Sequence, residues 1–126
     1  MKAIIELSRK GSIFGAVRQQ IADARKGNNL MVYDRPEVID YHLGFESARA
    51  LFSDLTPARI DLLDTLRSIG PSSMYALAKT ADRNYSNVHT DVSRLLELGL
   101  IERAEDGMVS VPFESIEIRF PLAQVA

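Results

Sequence analysis

Between residues 56 and 111 the chain is cut at short intervals by residues that start or stop regular structure, and the lengths left between the cuts admit little choice of fold. Thr56-Pro57 opens the series. A threonine hydroxyl can accept from the free amides of a first helical turn, and proline at the first helical position loses nothing, because its missing N–H had no partner to find. The residue before a proline is also pushed out of the α region, so whatever precedes Thr56 must stop there. Gly70-Pro71 closes the helix, with Ile60, Leu63, Leu66 and Ile69 at spacings of three and Leu62 beside them. Ser72 and Ser73 are cap candidates for a helix of two turns carrying Tyr75, Leu77, Ala78 and Ala81. After Asp82-Arg83-Asn84, a third helix sets Tyr85, Val88, Val92, Leu95 and Leu96 on one face and stops at Gly99. Residues 100–103 and 108–111 then flank Ala104-Glu105-Asp106-Gly107, and Asp-Gly between apolar runs predicts a hairpin.

Upstream the pattern is looser. Phe14, Val17, Ile21 and Ala24 predict an amphipathic helix from about residue 12 to the stop at Gly27-Asn28-Asn29, and Leu30-Met31-Val32-Tyr33 predicts a short strand before Asp34-Arg35-Pro36. Residues 37–45 are ambiguous. From Glu46, Ala48, Leu51, Phe52 and Leu55 mark another helical face. Near the C-terminus, Ile116, Ile118 and Phe120 alternate with Glu117 and Arg119, which predicts a strand that extends the hairpin or joins a dimer sheet. The expected organisation is an extension over residues 1–54, for dimerisation or partner binding, and a domain over residues 55–126.

With 126 residues, 46% apolar and 25% charged, the chain has one domain's worth of ordinary globular sequence, and a two-domain enzyme is not expected. The absence of cysteine excludes disulfides, cysteine-ligated zinc, iron–sulfur clusters and thiol nucleophiles. Glu6 interrupts the stretch where a secretory peptide needs an unbroken apolar core, so a cytoplasmic protein without a membrane segment is expected. Fifteen basic against seventeen acidic residues exclude a broadly basic nucleic-acid coat. Any such contact is local. Residues 2–26 hold Lys2, Arg9, Lys10, Arg18, Arg25 and Lys26 against Glu6 and Asp23, a distribution that solvated helix faces often show. His42 and His89 lie outside any HExxH pattern, there is no Walker or GxGxxG loop, and Asp34, Glu37, Asp40 and His42 read as solvated loop residues around a proline turn. No enzyme activity, metal or cofactor is expected.

Three helices followed by a hairpin is the order of a winged helix-turn-helix, an α+β (mainly α) fold in which two helices support a third whose polar face enters a major groove. At 100° per residue, the inward face of the third helix centres between Val88 and Val92. That leaves Arg83, Ser86, Asn87, Thr90, Ser93 and Arg94 outward and His89 on the flank. Asn can pair with adenine, Arg can fork to guanine or clamp phosphate, and Ser and Thr can contact either bases or phosphates. Ser73, Asn84 and Arg103 complete the expected DNA-binding set. Any surface helix is polar, but Asn84, Ser86, Asn87, Thr90 and Ser93 are poor interior helix formers, so something other than helix stability selects them. Asp91 is expected to pair with Arg94 at i,i+3, Asp82 to cap or end a helix, and Arg59, Arg67 or Arg103 to add phosphate contacts. The competing reading is a protein-interaction module in which the three-helix half is structural and the N-terminal half binds a partner.

Leu55-Thr56-Pro57-Ala58-Arg59-Ile60-Asp61-Leu62-Leu63, then Leu77-Ala78, then Arg83-Asn84-Tyr85-Ser86-Asn87-Val88-His89-Thr90-Asp91-Val92, then Leu98-Gly99-Leu100-Ile101-Glu102, resemble a MarR-like family of small prokaryotic winged helix-turn-helix proteins. These are DNA-binding transcriptional regulators, in some cases antitoxins encoded beside a toxin. The resemblance covers about residues 45–120. Asn-Val-His-x-Asp-Val is its most specific part, while Leu-Gly-Leu-Ile-Glu is shared by many winged helices. It implies a sequence-specific binder of double-stranded operator DNA, a repressor or an antitoxin autoregulating its operon. It also implies a homodimer reading paired half-sites and, for an antitoxin, a cognate toxin as partner. Family members often carry basic residues where this chain has Ser86 and Thr90, which implies weaker phosphate binding here.

Overall fold

The computed structural model describes residues 1–7 and 39–122. The expected helix from residue 12 and the strand at residues 30–33 lie outside them. In chain order the described elements are β1 (Lys2–Leu7), β2 (Tyr41–Phe45), α1 (Ala48–Asp54), α2 (Pro57–Ile69), α3 (Met74–Ala81), α4 (Tyr85–Glu97), β3 (Glu102–Arg103), β4 (Val109–Ser110) and β5 (Ser115–Arg119). The class is α+β. No helix among the described residues is long and apolar enough to cross a membrane.

The described residues form two compact units, one from Met1–Leu51 with Phe113–Ala126 and the other from Phe52–Pro112. These bounds differ from the expected division at residue 54, because the C-terminal strand goes with the N-terminal residues. β5 neither extends the hairpin nor needs a second chain: it pairs in parallel with β1, Lys2 opposite Ser115 and Ile5 opposite Ile118. On the other side of β1, β2 is also parallel, Ala3 opposite Tyr41 and Leu7 opposite Phe45, giving the order β2-β1-β5. Because side chains alternate across a strand, this register puts Ala3, Ile5, Tyr41, Leu43, Phe45, Ile116 and Ile118 on one face. The first five are buried, and Tyr41 stacks on buried Phe113 with ring centroids 5.6 Å apart. The opposite face carries the ion pairs Lys2–Glu117 at 3.0 Å and Arg119–Glu6 at 3.7 Å.

The other unit follows the local signals. Arg59 N–H donates to Thr56 Oγ1 at 3.3 Å and starts α2; Ala76 N–H donates to Ser73 Oγ at 3.0 Å and starts α3. α3 ends at Asp82, which takes the left-handed conformation (φ 54°, ψ 49°), while Arg83 N–H donates back to Ala78 O at 3.0 Å. α4 runs to Glu97 and Gly99 has φ 78°, a region where only glycine escapes a Cβ clash. Gly107, at φ 87°, does the same in the hairpin turn, where its N–H donates to Ala104 O. β3 and β4 are antiparallel, Arg103 opposite Val109, and Ser72 exchanges both backbone hydrogen bonds with Val109, binding the start of α3 to the hairpin.

α2, α3 and α4 pack on one another through Leu62, Leu63, Leu66, Leu77, Ala78, Val88, Val92 and Leu95, all buried. Each of the leucines and valines contributes about 1.5–3 kcal/mol relative to exposure. Two expected faces need correction. Ile60 and Ile69 are about 40% exposed, because spacings of three drift by about 60° per step and leave the ends of such a row at the margins. Tyr75 is 70% exposed: α3 buries Leu77 and Ala78, and Tyr75 lies roughly 110° round the helix from their midpoint.

Candidate nucleic-acid interface

The amides of the first turn of α4 need acceptors, and Asn84 provides one. Its Oδ1 accepts from Ser86 N–H at 2.9 Å, Asn87 N–H at 3.4 Å and Ser86 Oγ at 3.0 Å. One residue expected to read DNA, Asn84, therefore caps the helix, and the hydroxyl of a second, Ser86, is tied to it. Thr90 Oγ1 donates to Ser86 O at 3.0 Å, a bond within the helix that leaves the hydroxyl's acceptor capacity outward. Val88, Val92 and Leu95 are wholly buried, while Ser86, Asn87, His89 and Thr90 are exposed. The expected division of the helix into apolar and polar sides holds at these positions. Tyr85, grouped with the apolar side by spacing, is half exposed at the first position of α4, its ring 6.1 Å from that of His89. Ser93 is half-buried, and Ser73 spends its hydroxyl on the α3 cap.

The arginines depart furthest from expectation. Asp91 does not pair with Arg94. It accepts from Arg83 Nη2 at 2.7 Å and from Arg59 Nε at 3.0 Å, and Arg83 Nη1 is buried without an acceptor among the described residues. Arg94 instead forks onto Asp54, Nε and Nη2 each 2.7 Å from a carboxylate oxygen, with Nη1 2.8 Å from Glu97. Arg59 Nη1 donates to Asp54 O at 2.9 Å. The result is a chain of alternating charge, Arg83–Asp91–Arg59–Asp54–Arg94–Glu97, that ties the end of α1, the start of α2, the α3–α4 turn and α4 together. The Arg94–Glu97 pair has the spacing of helix neighbours, the same i,i+3 separation that the sequence offered for Asp91 and Arg94. Arg94–Asp54 joins residues forty apart and had no local signal.

Hydrogen bonds from Arg94 hold the Asp54 carboxyl below the ordinary aspartate range, more strongly than burial raises it. At Asp91 burial opposes the charge, but hydrogen bonds from Arg83 and Arg59 outweigh it and again depress the pKa. Its bonds to Asp54 and Glu97 raise the affinity of Arg94 for its proton. Of the expected cations, Arg83, Arg94 and Arg59 are thus engaged within the protein. Arg103 is exposed on β3, exposed Arg67 donates to Val111 O at 3.1 Å, and Lys79, exposed in the last turn of α3, is a third basic group, outside the expected DNA-binding set. Phe52–Pro112 holds six basic residues, Arg59, Arg67, Lys79, Arg83, Arg94 and Arg103, against nine carboxylates.

Among the described residues no three His, Asp or Glu side chains converge as a metal site. Asp40 accepts from Lys2 N–H at 3.0 Å, and His42 Nδ1 lies 3.9 Å from Glu6. Residues 54–118, which contain α2 to β4 whole, match the family model HVO_A0114. No curated protein and no solved structure gives a significant match.

Proposed function

The chain belongs to the HVO_A0114 family, and we propose that the matched region is a winged helix-turn-helix that binds double-stranded DNA in a sequence-dependent way, with α4 as the recognition helix. One observation carries the reading: α4 exposes Asn87 and Thr90 away from three fully buried residues, with exposed His89 on the flank. The order of elements adds to it, since α2 and α3 pack on α4 and a hairpin follows. Asn87 has a carboxamide suited to the N6 and N7 positions of adenine, and Thr90 can accept or meet a thymine methyl. Arg67, Lys79 and Arg103 supply phosphate contacts. On this reading the protein is a MarR-like transcriptional regulator rather than an enzyme, a cytoplasmic homodimer acting as repressor or as antitoxin for a cognate toxin.

Selection of duplexes from a randomised pool, followed by anisotropy titration, tests the proposal. The wild type enriches a defined sequence, and Asn87→Ala loses about 1–3 kcal/mol for it without unfolding. Equal affinity for the selected and random duplexes refutes sequence-dependent binding. A second reading, in which this unit itself and not the N-terminal half of the expected interaction module binds a protein, is favoured by its excess of carboxylates and by Tyr75, an exposed aromatic of the kind that protein interfaces use. Under that reading Tyr75→Ala weakens partner capture and the pool yields no enriched duplex.

A further inference from the structure

The charge chain through α4 has a consequence for how DNA would be discriminated, and it rests on the DNA-binding reading above. A guanidinium can meet a phosphate only with N–H groups that are not already engaged. In Arg94 three of the five N–H groups are engaged, Nε and Nη2 each donating to Asp54 and Nη1 to Glu97, in charge-assisted bonds of 2.7, 2.7 and 2.8 Å. Arg83 and Arg59 share Asp91, and their side chains are only 28% and 16% exposed. Three cations and three anions therefore cancel on the elements that would lie nearest the duplex. The phosphate backbone is what any DNA offers regardless of sequence, and it supplies essentially all nonspecific affinity. A random duplex would have to break these pairs to recruit the arginines and would gain nothing from the base edges in return.

We infer that Asp54 and Asp91 are specificity-determining residues: by holding Arg94, Arg83 and Arg59 in intramolecular pairs, they suppress sequence-independent phosphate binding and leave discrimination to the neutral side chains of α4. The inhibited ligand is the phosphate backbone of noncognate DNA. Arg94 is the arginine with most to give, since its side chain is the most exposed of the three, at 38%.

Salt dependence separates this role from a merely structural one. The probes are a random-sequence duplex and the duplex that the wild-type full-length chain selects from a randomised pool. Asp54→Asn should steepen the log–log salt slope for the random duplex by about one unit, which is about fourfold more affinity lost between ~50 and ~200 mM salt. It should also lower the ratio of selected to random affinity. Asp91→Asn should act in the same direction, and Glu97→Gln, at the 66% exposed end of the chain, by a smaller amount without risk to the fold. Adding Arg94→Ala to Asp54→Asn should return the slope to the wild-type value. Asp64→Asn removes an equal charge from an exposed position with no ion pair among the described residues, and should leave the slope unchanged. If the wild type prefers its selected duplex while Asp54→Asn and Glu97→Gln leave the slope and the ratio where they were, the inference is overturned and the DNA reading stands. If the wild type selects no duplex, both fall.

Discussion

In the helical unit, α2, α3 and α4 each start at a side chain no more than three residues from the amide it caps, whereas β1 finds its partners at Tyr41 and Ser115, far along the chain. Ions differ in the same two regions. The sheet carries pairs such as Lys2–Glu117, whose side chains are exposed, while the helical unit threads Asp54 and Asp91 between arginines that are half-buried. Exposed pairs are screened by water and cost entropy to hold, so their net contribution is small; a carboxylate shared by two partly desolvated guanidiniums cannot be removed as cheaply. Ion pairs of similar length are therefore ornament in one unit and bracing in the other.

The largest expected effect is at the helical core. Leu66→Ala, at a fully buried position, should lower unfolding free energy by about 2–5 kcal/mol in urea titrations followed by helical circular dichroism. A smaller loss would mean that the three helices repack around the cavity. Asp91→Ala comes next, at about 1–3 kcal/mol, since it strands Arg59 and Arg83 while water still reaches part of both. Glu117→Ala in the sheet should give no measurable change, and equal losses for the two variants would erase the contrast between the units.

Acid should act on the same carboxylates. Asp54 and Asp91 have pKa values lowered from the ordinary 3.8, so their contribution is complete above that value and is lost as pH falls through the folded-state values. Stability of the helical unit should decline below about pH 4, and the Asp54→Asn/Asp91→Asn chain should start lower but show a flatter acid limb. Smaller than the loss at Asp91 is that of Ser73→Ala, which removes the α3 cap and should cost about 1 kcal/mol. Guanidinium titration with and without the substitution measures it.

Much of the helical unit could be read from the chain because its instructions are local. Thr56-Pro57, Ser73, Gly99 and Asp106-Gly107 each act on backbone groups a few residues away, and the structure uses each of them there, whereas Asn84, expected at the DNA, proves to be the cap of α4. The sheet was less legible. Tyr41–Phe45 is too short for its alternation to stand out, and Lys2–Leu7 contains the run Ala3-Ile4-Ile5, which signals no period at all. Ser115–Arg119 was recognisable as a strand, but nothing in its alternation names β1 as the neighbour. At the candidate site the apolar side of α4 was legible from spacing, and so was the exposure of Asn87 and Thr90. The arginines were not, because spacing gives the direction in which a residue leaves the helix and not which carboxylate awaits it.

The sequence by itself determined where helices begin and end and which side of α4 is apolar, since caps, glycines and the 3.6-residue period act over a few residues. Only the tertiary structure decided that β5 lies beside β1 and that Asp54 reaches Arg94, because pairing across forty residues or more depends on where the intervening chain has folded. That distinction also settles which charges of α4 stay engaged at home: a guanidinium is committed by the carboxylate that folding brings within 3 Å, and no local pattern records that approach.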